Sequence, residues 1–207
     1  MTRRRTPRRL RCVAICIDDS DGVDLLPRAP SEEEWARMTE AERAACVEAL
    51  PAQMTDAECL PPEGDLHRDA KSDALDVLRE FFRRTGRKVY VAADLTVYYP
   101  GVRRFSPDVL AVIGAEPHPR MKWVVGAEGR GLDWVLEVHV AGDRRKDMER
   151  NVELYARLGI PEYFIYDRAR QRLRAAAASL GISLSAEDDS ELVAEAAAGI
   201  VTGLVER

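Results

Sequence analysis

Trp134-Val-Leu-Glu-Val-His-Val140, the polar turn Ala141-Gly-Asp-Arg-Arg-Lys146, the run Asp147 to Leu158 and then Gly159-Ile-Pro-Glu-Tyr-Phe-Ile-Tyr-Asp167 together decide the fold. The first piece is rich in β-branched and aromatic residues, and the second has turn chemistry. The third carries helical spacing, and the fourth is again apolar and bounded by turn residues. This order predicts strand, helix, strand, with Gly159 capping the helix and Pro161 preventing its continuation.

In an extended strand, side chains alternate between faces, so Val135, Glu137 and His139 point one way and Trp134, Leu136, Val138 and Val140 the other. Glu137 thus sits in an apolar strand, where a carboxylate needs a cation, a hydrogen-bonding partner or a metal. Taken alone, Glu137 also reads as a solvated or Arg-paired carboxylate. Upstream, Phe105-Ser-Pro-Asp-Val-Leu-Ala-Val-Ile-Gly114 begins another apolar strand. Proline is tolerated at a strand entrance, which places Asp108 at the start of that strand. An acid opening one strand and a second acid inside the next can bring two carboxylates to one hard divalent cation.

Pro107-Asp108, then Glu137-Val138-His139, the helix to Leu158 and the strand around Pro161 to Asp167 resemble the PD-(D/E)XK nuclease superfamily, with its restriction-endonuclease-like fold. The segment Glu153-Leu-Tyr-Ala-Arg-Leu-Gly-Ile-Pro-Glu-Tyr163 is similar to a branch of small bacterial endonucleases. The resemblance covers about residues 65 to 173. It implies an α/β core of order αβββαβ, with a mixed central sheet flanked by helices. It also implies a Mg²⁺ or Mn²⁺ ion on Asp108 and Glu137, and a nucleic-acid substrate, DNA in the first instance, with a homodimer as an allowed assembly. The family pattern expects lysine two residues after the second acid, where this chain has His139. In this branch the lysine is often displaced onto the following helix, and the matching place holds Asn151. His139, on the face of Glu137, is a candidate for orienting or deprotonating water, and Lys146 is a substitute cation.

At 207 residues the chain suits one domain with a small appendage. A hydrophobic content of 46% beside 32% charged residues describes a globular chain, without an apolar run long enough to span a bilayer. The formal charge of −5 disfavours nucleic-acid binding through the whole surface, which depends on Lys and Arg neutralising phosphates, but leaves room for a local basic patch. Cys12, Cys16, Cys46 and Cys59 lack paired metal-ligand spacing, so reduced thiols are expected. The Arg-rich start is followed by six apolar residues, too few for a signal-peptide core, and a cytoplasmic protein is expected.

Residues 1–64 read as a tail and helical extension, 65–174 as the core and 175–207 as an Ala-rich, weakly structured tail. Ser31 to Glu34 and Thr39 to Glu42 have capping-box spacing, which predicts two short helices or one with a break. Trp35 reads as packing. Asp69 to Arg84 is the strongest amphipathic helix, with Ala74, Val77, Leu78, Phe81 and Phe82 on one side and Gly86 closing it. Lys88 to Ala92 and Leu95 to Tyr99 read as strands interrupted at Asp94. Ala115 to Gly131, which contains Arg120, Lys122 and Arg130, reads as a loop. After Leu173 the composition predicts weak helix or disorder.

The leading expectation is a metal-dependent endonuclease. A catalytically impaired module on the same fold, binding nucleic acid or a protein, is the first rival, favoured by the absence of lysine at positions 139 and 151. A small α/β interaction protein without a nucleic-acid role is the second, supported by the lack of a strong basic stripe.

Overall fold

The computed structural model describes residues 27–55, 58, 64–140, 150–167, 172–177 and 182–187. Both expected capping boxes form. Ser31 caps α1 (Glu32–Arg37) and Thr39 caps α2 (Glu40–Ala49), each side chain accepting from the N3 backbone N–H while the N3 glutamate accepts from the cap N–H. Met38, extended between them, makes this two helices. α3 (Gly64–Thr85) starts five residues before the expected Asp69. Its buried face is Ala70, Ala74, Leu78 and Phe82, a four-residue repeat. Val77, assigned to that face from sequence, points outward. Gly86 takes the left-handed conformation (φ +66°) that ends the helix.

Six strands form the main sheet. β1 (Val89–Ala93), β3 (Val109–Ile113), β5 (Trp134–His139), β6 (Glu162–Asp167), β7 (Arg172–Ala177) and β8 (Ile182–Glu187) lie side by side in that order. The β5–β6 pair is parallel and the other pairs are antiparallel. α5 (Asn151–Arg157) makes the crossover between β5 and β6, as the strand-helix-strand pattern requires. The expected start of that helix, residues 147–149, lies outside the described residues. β2 (Val97–Tyr98) and β4 (Trp123–Val124) form a separate parallel ribbon, and β4 runs into α4 (Val125–Glu128). The stretch 115–131 is therefore not the plain loop expected. Its Trp123 is fully buried, stacks on Tyr90 and donates its indole N–H to the Arg130 carbonyl at 3.1 Å. Trp35 of α1 packs on Gly126, as its packing role anticipates.

β7 and β8 also depart from expectation, because weak helix or disorder was expected after Leu173. Arg172 to Ala177 has few residues of strand propensity, and its strand exists by pairing along the whole of β6, from Asp167 opposite Arg172 to Glu162 opposite Ala177.

Alternation sorts the core into two faces. Val89, Val91, Val109, Ala111, Trp134, Leu136 and Val138 pack under α3. Tyr90, Leu110, Val112, Val135, Tyr163 and Ile165 face the other way, toward Tyr155 of α5. One close approach depends on glycine. A Cβ at Gly131 would meet the Tyr99 hydroxyl at 2.6 Å, and that buried hydroxyl accepts the Leu132 N–H at 2.8 Å. Gly131→Ala is expected to cost about 1–3 kcal/mol through this overlap, measured as a lowered midpoint in urea.

Candidate active site

Strand register brings the two expected acids together. Val109 pairs with Leu136 and Leu110 with Val135, so one further step sets Asp108 opposite Glu137. The same step on the other side of β3, from the Ala93 and Val109 pair, sets Asp94 opposite Asp108. Three acids thus occupy one end of three neighbouring strands.

Asp108 sits at the entrance of β3 behind the buried Pro107. Its Oδ2 accepts the Val138 N–H at 2.7 Å and lies 3.0 Å from Nε2 of His67. Burial pushes this carboxyl up. The hydrogen bonds from His67 and Val138, with the charges of His67 and Lys71, outweigh burial and hold it below the usual aspartate range. It is therefore ionised at neutral pH, as an ion ligand must be.

Glu137 lies on the opposite face to Leu136 and Val138, as alternation predicts, and is buried. Its Oε1 accepts from the Tyr155 hydroxyl at 2.6 Å, with Asn151 Nδ2 at 3.5 Å. Burial drives the Tyr155 hydroxyl well above its ordinary pKa, and the neighbouring Glu137 carboxylate adds to the shift. The charge of Asp108 also raises this hydroxyl. Tyr155→Phe removes a bond to a buried carboxylate and is expected to cost about 1.5–3 kcal/mol of stability, read by urea unfolding.

The remaining candidates fare differently. Asn151 opens α5 and faces Glu137. His139 is buried at the end of β5, opposite the buried Asp167 of β6. Lys146 lies outside the described residues, as do Cys12, Cys16 and Cys59, whereas Cys46 is buried in α2. Sequence reading missed His67, Lys71 and Tyr155 as members of this neighbourhood. His67 precedes the buried Ala70 and Ala74 by three and seven residues, so extending the α3 stripe backwards would have found it. Lys71, one turn on, holds Asp94 at 2.7 Å.

Two carboxylates in adjoining strands suit a hard divalent cation, which takes one or two protein carboxylates and completes its shell with water and phosphate oxygens. Among the described residues no group of three or more His, Cys, Asp or Glu side chains is placed to hold a metal ion. Among the same residues no helix is long and apolar enough to cross a membrane.

The fold is similar to that of "a putative nuclease belonging to DUF820 from Anabaena variabilis ATCC 29413", solved by crystallography. The TM-score is 0.51 at 13% identity, over 62% of this chain and 70% of that one. At that identity the likeness speaks for the fold. No curated protein matches the chain. Residues 56–190, which include the whole of the β3, β5, α5 and β6 arrangement, match the Uma2 family, described as "Putative restriction endonuclease", and the chain belongs to that family.

Proposed function

We propose that this protein is a metal-dependent endonuclease that hydrolyses phosphodiester bonds in DNA in the cytoplasm, with Asp108 and Glu137 as the ligands of one Mg²⁺ or Mn²⁺ ion. What supports this reading is the register of β3 against β5, which carried one step beyond Val109 and Leu136 sets Asp108 opposite Glu137, with Asp108 accepting from the Val138 N–H and Glu137 from the Tyr155 hydroxyl. When bound, the ion would supply positive charge against the phosphate oxygens and acidify water.

The chain's own residues do the rest. Val138 N–H and His67 hold Asp108 ionised and oriented, and the Tyr155 hydroxyl fixes one oxygen of Glu137. Asn151 presents an amide beside Glu137, suited to holding water or a substrate oxygen. His139, on the face of Glu137, is the proposed group for orienting or accepting a proton from water, and Lys146 a further source of positive charge. Rigid placement of such groups is worth more than their individual bonds, because the active geometry needs no reorganisation during the reaction.

One observation favours the rival reading of a nuclease-fold module that binds nucleic acid or a protein without cleaving. His139 and Asn151 stand where the family pattern expects lysine, so neither place supplies a lysine ammonium. The full-length chain, incubated with supercoiled and single-stranded DNA in Mg²⁺ or Mn²⁺, separates the two. Cleavage that is lost in Asp108→Ala and Glu137→Ala supports the enzyme, and cleavage that survives both removes this site from the chemistry.

A further inference from the structure

A phosphodiester approaching Asp108 and Glu137 brings a third negative charge to two already present. Each like-charge pair at such close range is repulsive, and more so at a protein surface than in bulk solvent. A cationic side chain beside the acids relieves that repulsion. Two side chains are felt by Asp108 as positive charge, His67 and Lys71, both on α3 and four residues apart on one helix face. His67 is engaged with the Asp108 carboxylate itself. Lys71 reaches past it to the rim.

Lys71 Nζ lies 2.8 Å from Oδ1 and 2.7 Å from Oδ2 of Asp94. The lysine side chain is 15% exposed and the aspartate side chain 62%, so a largely packed stem delivers the ammonium to an open edge. Asp94 stands opposite Asp108 in register, and its N–H donates to the Asp108 carbonyl at 3.3 Å. It is also the one non-glycine residue with positive φ (+52°) among the described residues. Such a conformation is strained for a residue other than glycine and persists where the surroundings impose it. An ion pair with an exposed partner adds little to stability, so exchanging the Asp94 carboxylate for a phosphate is inexpensive.

We infer that Lys71, held at the rim by Asp94, is the side chain that contacts the substrate phosphate next to Asp108. This rests on the phosphodiesterase reading above and adds to it a residue from α3, the face of the sheet opposite Tyr155.

The test measures binding without cleavage. A short fluorescein-labelled DNA duplex is titrated with the full chain in Ca²⁺ at several salt concentrations, and binding is read by anisotropy. Lys71→Ala is expected to weaken binding about tenfold, the worth of one charge-assisted contact. It is also expected to reduce the slope of log affinity against log salt by about one. Lys71→Arg retains most of the affinity, and calorimetric Mn²⁺ binding by Lys71→Ala is not weakened. Unchanged affinity and slope in Lys71→Ala would overturn the inference. So would joint loss of DNA binding, Mn²⁺ binding and thermal stability, which assigns Lys71 to holding the fold. Cleavage by the wild-type chain in Mg²⁺, together with unchanged DNA affinity in Lys71→Ala, removes Lys71 alone. A wild-type chain that neither binds nor cleaves DNA removes the phosphodiesterase reading and this inference with it.

Discussion

Asp108→Asn and Glu137→Gln are each expected to lower DNA cleavage in Mg²⁺ or Mn²⁺ by about a thousandfold or more, the equivalent of roughly 4 kcal/mol of transition-state stabilisation. These exchanges keep side-chain size and remove charge. An amide oxygen at position 108 can still accept the Val138 N–H, and one at position 137 can still accept the Tyr155 hydroxyl, so folding is spared while ion binding is not. The losses should not add. With two carboxylates acting as one ligand set, the double variant is expected to be about as inactive as either single one, because residues that act as a unit are non-additive. Single-turnover cleavage of labelled duplex gives all three rates. Two losses that multiply would mean that the acids act separately.

The largest expected effect on stability lies away from this site, at an ion pair the sequence did not reveal. The side chains of Arg104 and Glu58 are both 1% exposed, with Nε to Oε1 at 2.8 Å and Nη2 to Oε2 at 2.5 Å. Arg104 also donates to the Tyr98 hydroxyl, which donates to the Pro51 carbonyl at 2.8 Å, and Thr55 donates its N–H and hydroxyl to Glu58. This network fastens Pro51, Thr55 and Glu58 to Tyr98 of β2. Glu58→Gln leaves a buried guanidinium without its counter-charge, and such a break costs about 3–5 kcal/mol. Urea unfolding at neutral pH measures it. Replacing both partners, as Glu58→Met with Arg104→Leu, is expected to cost less than either single exchange, since an apolar pair leaves no stranded charge.

The same pair sets a pH dependence. The hydrogen bond from Arg104 is the main force holding the Glu58 carboxyl down, from an ordinary 4.5 to about 2. The folded chain thus releases this proton more readily than the unfolded chain does. The stabilisation is complete above pH 4.5 and falls away as pH drops from there through about 2. Stability measured against pH should therefore decline over that window in the wild type, and the Glu58 share of the decline should vanish in Glu58→Gln.

The β5, α5 and β6 unit was legible because its signals are local: a β-branched run, a glycine cap, a proline stop and a second apolar run. Face alternation in β5 was legible for the same reason, and it separated Glu137 from the α3 side correctly. Asp108 was legible through Pro107, which marks a strand entrance. What the sequence concealed depends on partners distant along the chain. The start of α3 was hidden by Pro61 and Pro62 just before it and by Gly64 at its first position, and with it His67 and Lys71. β4 and α4 are two and four residues long, too short for periodicity to register. β7 is an alanine-containing strand made by its pairing with β6, whereas its partner β8 carries a readable alternation of Ile182, Leu184 and Ala186 with serines and a glutamate. The Glu58 and Arg104 pair spans 46 positions, and neither residue announces burial.

Calorimetric titration of the full chain with Mn²⁺ tests most directly whether Asp108 and Glu137 share one ion. The expected result is one ion per chain, with binding abolished in Asp108→Asn and in Glu137→Gln while both variants keep the wild-type circular dichroism. One ion bound with unchanged affinity by the double variant would contradict it.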